Sequence, residues 1–181
     1  MADTQELAVI DDVRSGNTES YRFLVERYHR GLIQHLYNLM HDEQSAEDVA
    51  QEAFIRAYNK LSQYNETYSF STWLYKIADN IAYRHFKNTK FISDIDDVEE
   101  FIPDSKPTAE ELVDKKLDQE AVREAVDNLP SAYKQVVTLY YWDGFSYEEI
   151  AKIIDRPVGT IRTWLHRAKE HLRKELYGQI R

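Results

Sequence analysis

Cysteine is absent from this chain, and glycine and proline are scarce, five and four in 181 residues. The first absence excludes a disulfide framework and any thiolate metal site. The second leaves few places for tight turns. No apolar run approaches the roughly 20 residues that span a bilayer, and the opening stretch MADTQELAVIDDVR has neither the basic start nor the apolar run of a signal peptide. These absences predict a protein without membrane insertion, working in the cytoplasm. What is present is Leu, Ala, Glu, Lys and Arg throughout, with 43% hydrophobic residues, enough for a buried core. That composition favours helices, so the expected fold class is all-α.

The formal net charge of −9 is unevenly placed. Residues 1–90 carry ten Lys/Arg against thirteen Asp/Glu, residues 91–118 three against ten, and residues 119–181 ten against nine. Residues 156–181 alone hold seven cations against two acids, with His166 and His171 in addition. An acidic chain therefore ends in a basic stretch. Between the two halves lies NTKFISDIDDVEEFIPDSKP, where six acidic residues between 94 and 104, two prolines and no helical period predict an extended, flexible linker. The expectation is two small helical domains joined by that acidic segment.

Hydrophobic spacing predicts two helices over residues 3–40, broken near Ser15-Gly16-Asn17. A third is predicted from Asp42 to Leu61, because Ala46, Val49, Ala50, Ala53, Phe54, Ala57, Tyr58 and Leu61 advance along one helical face. After the loop SQYNETYSFS, Ser71 or Thr72 can cap a fourth helix running to about Asn88. Beyond the linker, Thr108 with Glu111 has the pattern of a capping box, and helices are predicted at about 108–128, 130–142, 146–154 and 158–177.

The last two of these read as a helix-turn-helix. Ser146 caps the first with Glu149 completing the box, Ala151 is small enough for a close crossing, and Asp155-Arg156-Pro157 makes the turn. On the second, Val158, Ile161, Leu165, Ala168 and Leu172 face inward, which leaves Arg162, Thr163, His166 and Arg167 outward. Cations and a hydroxyl there suit guanine edges and phosphates in a major groove. A solvated basic face is the plain alternative, and many repressors share the layout.

Two further faces stand out. Opposite the core stripe of the third helix lie Asp48, Gln51, Glu52, Ile55 and Asn59, an apolar residue within an acidic band. It reads as a docking surface or as one ordinary exposed isoleucine. On the fourth helix, Leu74, Ile77, Ala78 and Ile81 turn inward, whereas Trp73, Lys76, Asn80, Arg84 and Lys87 share another face that mixes stacking and phosphate-binding groups, as single-stranded DNA requires. The loop before it, with Tyr64, Tyr68, Ser69 and Phe70, could receive an extruded base, although Trp73 could equally be core.

SAEDVAQEAFIRAYNKL, then FSTWLYKIADNIAYRHF, then the acidic linker, then LPSAYKQVVTLYYWDGFSYEEIAKIIDRPVGTIRTWLHRAKEHLRKEL resemble, in order and over nearly the whole chain, the bacterial extracytoplasmic-function (ECF) sigma factors of the sigma-70 family. The resemblance implies a transcription initiation factor without catalysis, metal or cofactor. It implies that residues 1–90 form a region-2-like domain, 91–107 the linker and 108–181 a region-4-like domain. Asp48, Gln51, Glu52 and Ile55 would dock on the clamp helices of the largest subunit of core RNA polymerase. Phe70, Trp73, Asn80, Arg84 and Lys87 would engage and open the minus-ten element of promoter DNA. Arg156, Arg162, Thr163, His166 and Arg167 would read the minus-thirty-five element. An anti-sigma factor is an expected further partner.

In two places the chain departs from the family pattern. Asp155 stands where many members have glycine in the turn, and His166 occupies a position of variable identity, so promoter preference does not carry over. No sensory region is expected after the second domain. Three rivals have different requirements. A one-component helix-turn-helix repressor with an N-terminal ligand or dimerisation domain would bind DNA tightly without polymerase. A helical adaptor would have no use for the Arg162, His166 and Arg167 face. An enzyme in a bundle core would need inward carboxylates and histidines, and His29, His35 and Asp42 are too scattered in sequence to supply a ligand pair.

Overall fold

Asp3 starts the first helix by accepting a hydrogen bond from the Gln5 backbone N–H at 3.0 Å, which satisfies one of the donors every helix start leaves open. The computed structural model describes residues 3–87 and 119–178; the expected linker at 91–107 and the Thr108–Glu111 capping box lie outside them. Among the described residues the secondary structure is entirely helical, in two compact units.

In the N-terminal unit α1 (Thr4–Arg14) ends in a turn at Gly16, whose φ of 109° only glycine adopts cheaply. A 3₁₀ turn, Thr18–Ser20, leads into α2 (Tyr21–Met40), which His41 closes in the left-handed region at φ 54°. Asp42 then caps α3 (Glu43–Asn59), accepting from the Ser45 N–H at 2.7 Å. Hydrogen bonds from the Ser45 hydroxyl and backbone hold the Asp42 carboxyl below its ordinary pKa. After a 3₁₀ turn at Leu61–Gln63 comes α4 (Phe70–Lys87). Its cap is Ser69 and not Ser71 or Thr72: the Ser69 hydroxyl accepts from the Thr72 N–H at 3.3 Å, three residues on, as N-cap geometry demands.

Helices α2, α3 and α4 pack pairwise, with α1 laid on α2. The buried side of α3 is Ala46, Val49, Ala50, Ala53, Phe54 and Ala57, so small that its neighbours approach closely. Leu24, Leu32 and Leu36 of α2 and Leu74, Ala78 and Ile81 of α4 complete the core. Burying each leucine contributes about 1.5–3 kcal/mol. Tyr58, expected on the core stripe, is 38% exposed and meets Tyr21 edge-on at 5.1 Å, since the stripe's drift carries it to the rim. His35 is a core residue: its Nε2 donates to Asp79 Oδ1 at 2.7 Å, tying α2 to α4.

The C-terminal unit is built on α8 (Val158–Gly178), against which α5 (Gln119–Asp127) and α6 (Ser131–Val137) pack. The helix expected over 130–142 changes pitch half-way. Its second part, Thr138–Trp142, is a π-helical turn, with the Asp143 N–H bonded five residues back to Thr138 O at 3.1 Å. Gly144 at φ 75° turns the chain into α7 (Tyr147–Ile154). Ile150, Ala151 and Ile153 of α7 and Ile161, Trp164, Leu165, Ala168 and Leu172 of α8 are buried.

Candidate nucleic-acid interface

The cap at Asp42 fixes the rotation of α3, and with the alanine side buried the opposite side has nowhere to go but outward. Asp48 and Gln51 are exposed and Glu52 is half-exposed, with Ile55 beside them 61% exposed. Glu52 pairs with Arg56 one turn on, and Gln44 Nε2 donates to Asp48 Oδ1 at 3.3 Å. The face is thus a band of pre-ordered polar groups around one bare aliphatic side chain.

Preceding α4, the loop is aromatic but presents only part of its rings. Phe70 is fully buried, among Tyr28 at 5.7 Å, Tyr64 at 5.8 Å and Trp73 at 5.8 Å. The expectation that Phe70 meets DNA is therefore corrected. As the first helical residue after the Ser69 cap it is rotated into the core, and its ring cannot reach solvent. Tyr64 is buried too, and burial pushes its phenol up to about 12. The ring left outside is Tyr68, 37% exposed. Trp73 is half-buried and 5.3 Å from Tyr64, so it packs on one side and is open on the other. Asn80 and Arg84 are exposed along the same helix, with Asn80 Nδ2 donating to Lys76 O at 2.7 Å. Lys87 closes α4, and its side chain lies outside the described residues.

In the C-terminal unit the capping box forms as its sequence predicts. Ser146 Oγ accepts from the Glu149 N–H at 3.3 Å, while the Glu149 carboxylate accepts from the Ser146 N–H at 3.0 Å and from its hydroxyl at 2.8 Å. Asp155 takes the left-handed conformation, φ 62°, that the turn requires, one of the few non-glycine types that does so at modest cost. Beyond it, Arg156 and His166 are exposed, and Arg162 and Arg167 are partly so. His166 Nε2 lies 3.8 Å from Glu170. The Arg162 guanidinium sits 5.8 Å over the Tyr147 ring, which stacks at 5.1 Å on Tyr140. Tyr147 had no role in the sequence reading, although its place next to the cap residue points it at the following helix.

Thr163 is the second correction. It is 4% exposed and its hydroxyl donates to Gly159 O at 3.0 Å, so it is packed against its own helix and does not reach for a base. Trp164 is likewise buried, beside the inner face of Ile161, Leu165, Ala168 and Leu172.

Two sequence models match: Sigma-70 region 2 over residues 24–92 and Sigma-70, region 4 over residues 119–172. ECF RNA polymerase sigma factor SigW of Bacillus subtilis is 32% identical over 177 residues, 92% of this chain and 94% of that protein. The chain belongs to the ECF sigma factors. RNA polymerase sigma-H factor of Pseudomonas aeruginosa is equally similar, 32% over 186 residues, covering 98% and 96% of the two chains. Among solved structures, CnrH in complex with the cytosolic domain of CnrY shares the fold at a TM-score of 0.70 and 20% identity, covering 94% of this chain and 96% of that one. The sigma factor RpoE in complex with the anti-sigma factor NepR from Bartonella quintana does so at 0.65 and 21%, covering 87% and 97%. A sigma factor serves RNA polymerase in transcription initiation and carries out no reaction of its own. No helix among the described residues is long and apolar enough to cross a membrane.

Proposed function

We propose that the sigma factor divides its work among three faces. Asp48, Gln51, Glu52 and Ile55 on α3 dock on the clamp helices of the largest subunit of core RNA polymerase. Trp73, Asn80, Arg84 and Lys87 on α4, with Tyr68 taking the place first given to Phe70, engage the minus-ten element and hold its bases once unpaired. Arg156, Arg162, His166 and Arg167 read the minus-thirty-five element in duplex form. Residues 1–90 and 108–181 are the two functional domains, and 91–107 the acidic connection. An anti-sigma factor is the regulatory partner, a reading supported by the structure of the sigma factor RpoE in complex with the anti-sigma factor NepR. The site of action is the cytoplasm.

The observation that carries this reading is Ile55, 61% exposed amid ordered acidic groups on a helix whose other side already supplies the core. A helix that folded for its own sake would gain nothing from an apolar residue there, whereas a protein partner would bury it. With a net charge of −9, the free chain is poorly suited to find DNA at long range, so the basic face of α8 acts when polymerase supplies the remaining surface.

The test is reconstituted transcription with core polymerase on a library of genomic fragments. The expected result is transcripts that depend on this chain and start downstream of a shared pair of elements. Nanomolar, sequence-specific binding of duplex by the free chain, with no such transcripts, would sink the reading in favour of a repressor.

A further inference from the structure

The loop that carries Tyr68 is held from a distance. Arg14, in the last turn of α1, reaches across 47 to 50 residues of sequence to its backbone. Its Nε and Nη2 donate to Leu61 O at 3.3 and 3.2 Å, Nη2 donates to Tyr64 O at 2.8 Å, and Nη1 donates to Glu66 Oε1 at 3.0 Å. Leu61 opens the 3₁₀ turn and its carbonyl also accepts from the Tyr64 N–H at 3.2 Å, while Tyr64 caps the turn's end. The planar guanidinium spans both at once, a geometry that lysine, with one point of donation, cannot copy.

From Tyr64 the restraint passes on in two directions. Its hydroxyl donates to Tyr68 O at 2.6 Å, and its buried ring meets Trp73 at 5.3 Å. The exposed ring and the half-exposed ring of the proposed melting surface are thus both located through one tyrosine. A second tie runs beside it: the Tyr28 hydroxyl donates to the buried Glu6 of α1, and the Tyr28 ring packs on Phe70 at 5.7 Å.

We propose that Arg14 and Tyr64 are positioning residues for promoter opening, through which α1 holds the loop from 61 to 69 in the shape that lets Tyr68 and Trp73 meet unpaired bases. This rests on the role given above to that loop. Apart from the one to Glu66, the bonds end on backbone carbonyls and leave the Tyr68 ring 37% exposed, so the loop is ordered before a base arrives. The cost of ordering then falls on folding and not on the opening step.

Arg14→Lys keeps the charge and removes the fork; Tyr64→Phe removes one hydroxyl and keeps the ring. Each full-length variant, with core polymerase, is to be measured for thermal melting of the free protein, for closed-complex binding at low temperature and for permanganate reactivity of thymines near minus ten. The expected result is unchanged closed-complex binding, with open complex reduced about fivefold or more, as the loss of a buried hydrogen bond implies. Transcription should return on a template already unpaired there. Unchanged opening in both variants would overturn the proposal, as would losses of opening that merely track lost closed-complex binding and a lowered melting temperature. Tyr68→Ala in the same assays separates the two ideas. If it leaves opening intact, the reading of the loop fails and the proposal with it; if it alone lowers opening, only the brace fails. Should Arg14→Lys not fold, Tyr64→Phe decides.

Discussion

His35 and Asp79, 44 residues apart, meet inside the N-terminal unit with side chains 0% and 5% exposed, imidazole to carboxylate at 2.7 Å. The Tyr75 ring lies 5.0 Å from the imidazole. A buried carboxylate deprived of its partner is more costly than a buried neutral ring, which makes the pair's energetics asymmetric. His35→Leu should therefore destabilise by about 3–5 kcal/mol and Asp79→Leu by less, about 1–3 kcal/mol. The double substitution should recover much of the loss. Urea denaturation checks this, and a double variant no better than His35→Leu would remove the pair as the cause.

Ser146→Ala breaks the reciprocal bonds with Glu149 and should cost about 1 kcal/mol, confined to the C-terminal unit. Hydrogen exchange should quicken in α7 and leave α2 to α4 unchanged. Uniform quickening across both units would contradict a local cap.

On α3, Gln51→Ala with Glu52→Ala, and separately Ile55→Ala, should weaken association with core polymerase while the free protein melts as before. Each interface side chain near a centre of contact is worth on the order of 1–2 kcal/mol. A pull-down of unchanged yield would take the interface off this face.

Arg162→Ala and Arg167→Ala should each reduce transcription by about 1–3 kcal/mol in a way that depends on the minus-thirty-five bases if the contact is bidentate to a base, and by less, on all sequences alike, if it is to phosphate. Thr163→Ala should act on every upstream sequence equally, because its hydroxyl serves Gly159 O. Altered base preference on losing Thr163 would reverse that correction.

Burial raises the phenols of Tyr21, Tyr28 and Tyr64 above the ordinary phenol value of 10.0, the last to about 12. A group raised on folding adds stability that is whole below its unfolded pKa and is lost as pH climbs through the folded one. The N-terminal unit should thus be insensitive to these groups below pH 10 and lose stability from there toward pH 12. Tyrosinate absorbance should rise in two phases, the later one coinciding with loss of helix by circular dichroism and shrinking in Tyr64→Phe. A single smooth phase in the folded protein would contradict it.

Helix periodicity was legible wherever an inner face repeated without interruption, as in α3 and α8, and the Ser146–Glu149 box declared itself because both partners lie within one turn. What the sequence hid was burial outside the apolar stripes. Phe70 and Thr163 are both buried, Phe70 one turn before Leu74 and directly after the Ser69 cap, Thr163 with its hydroxyl on Gly159 O. Partners far apart in sequence were equally hidden: nothing local to Arg14 names Leu61 and Tyr64, and nothing local to His35 names Asp79. The acid band with Ile55 was visible as a pattern, but only burial of the alanine side makes it a surface.

That alanine side has a consequence for how such a protein can change over generations. Because α3 meets its neighbours through Ala46, Ala50, Ala53 and Ala57, a larger residue at any of them has no room, and those positions are locked by volume. Asp48, Gln51 and Ile55 touch none of that packing and are free to drift. If that face is the docking surface proposed above, the helix can tune its grip on a partner, or follow a partner that is itself changing, without renegotiating the fold that carries it.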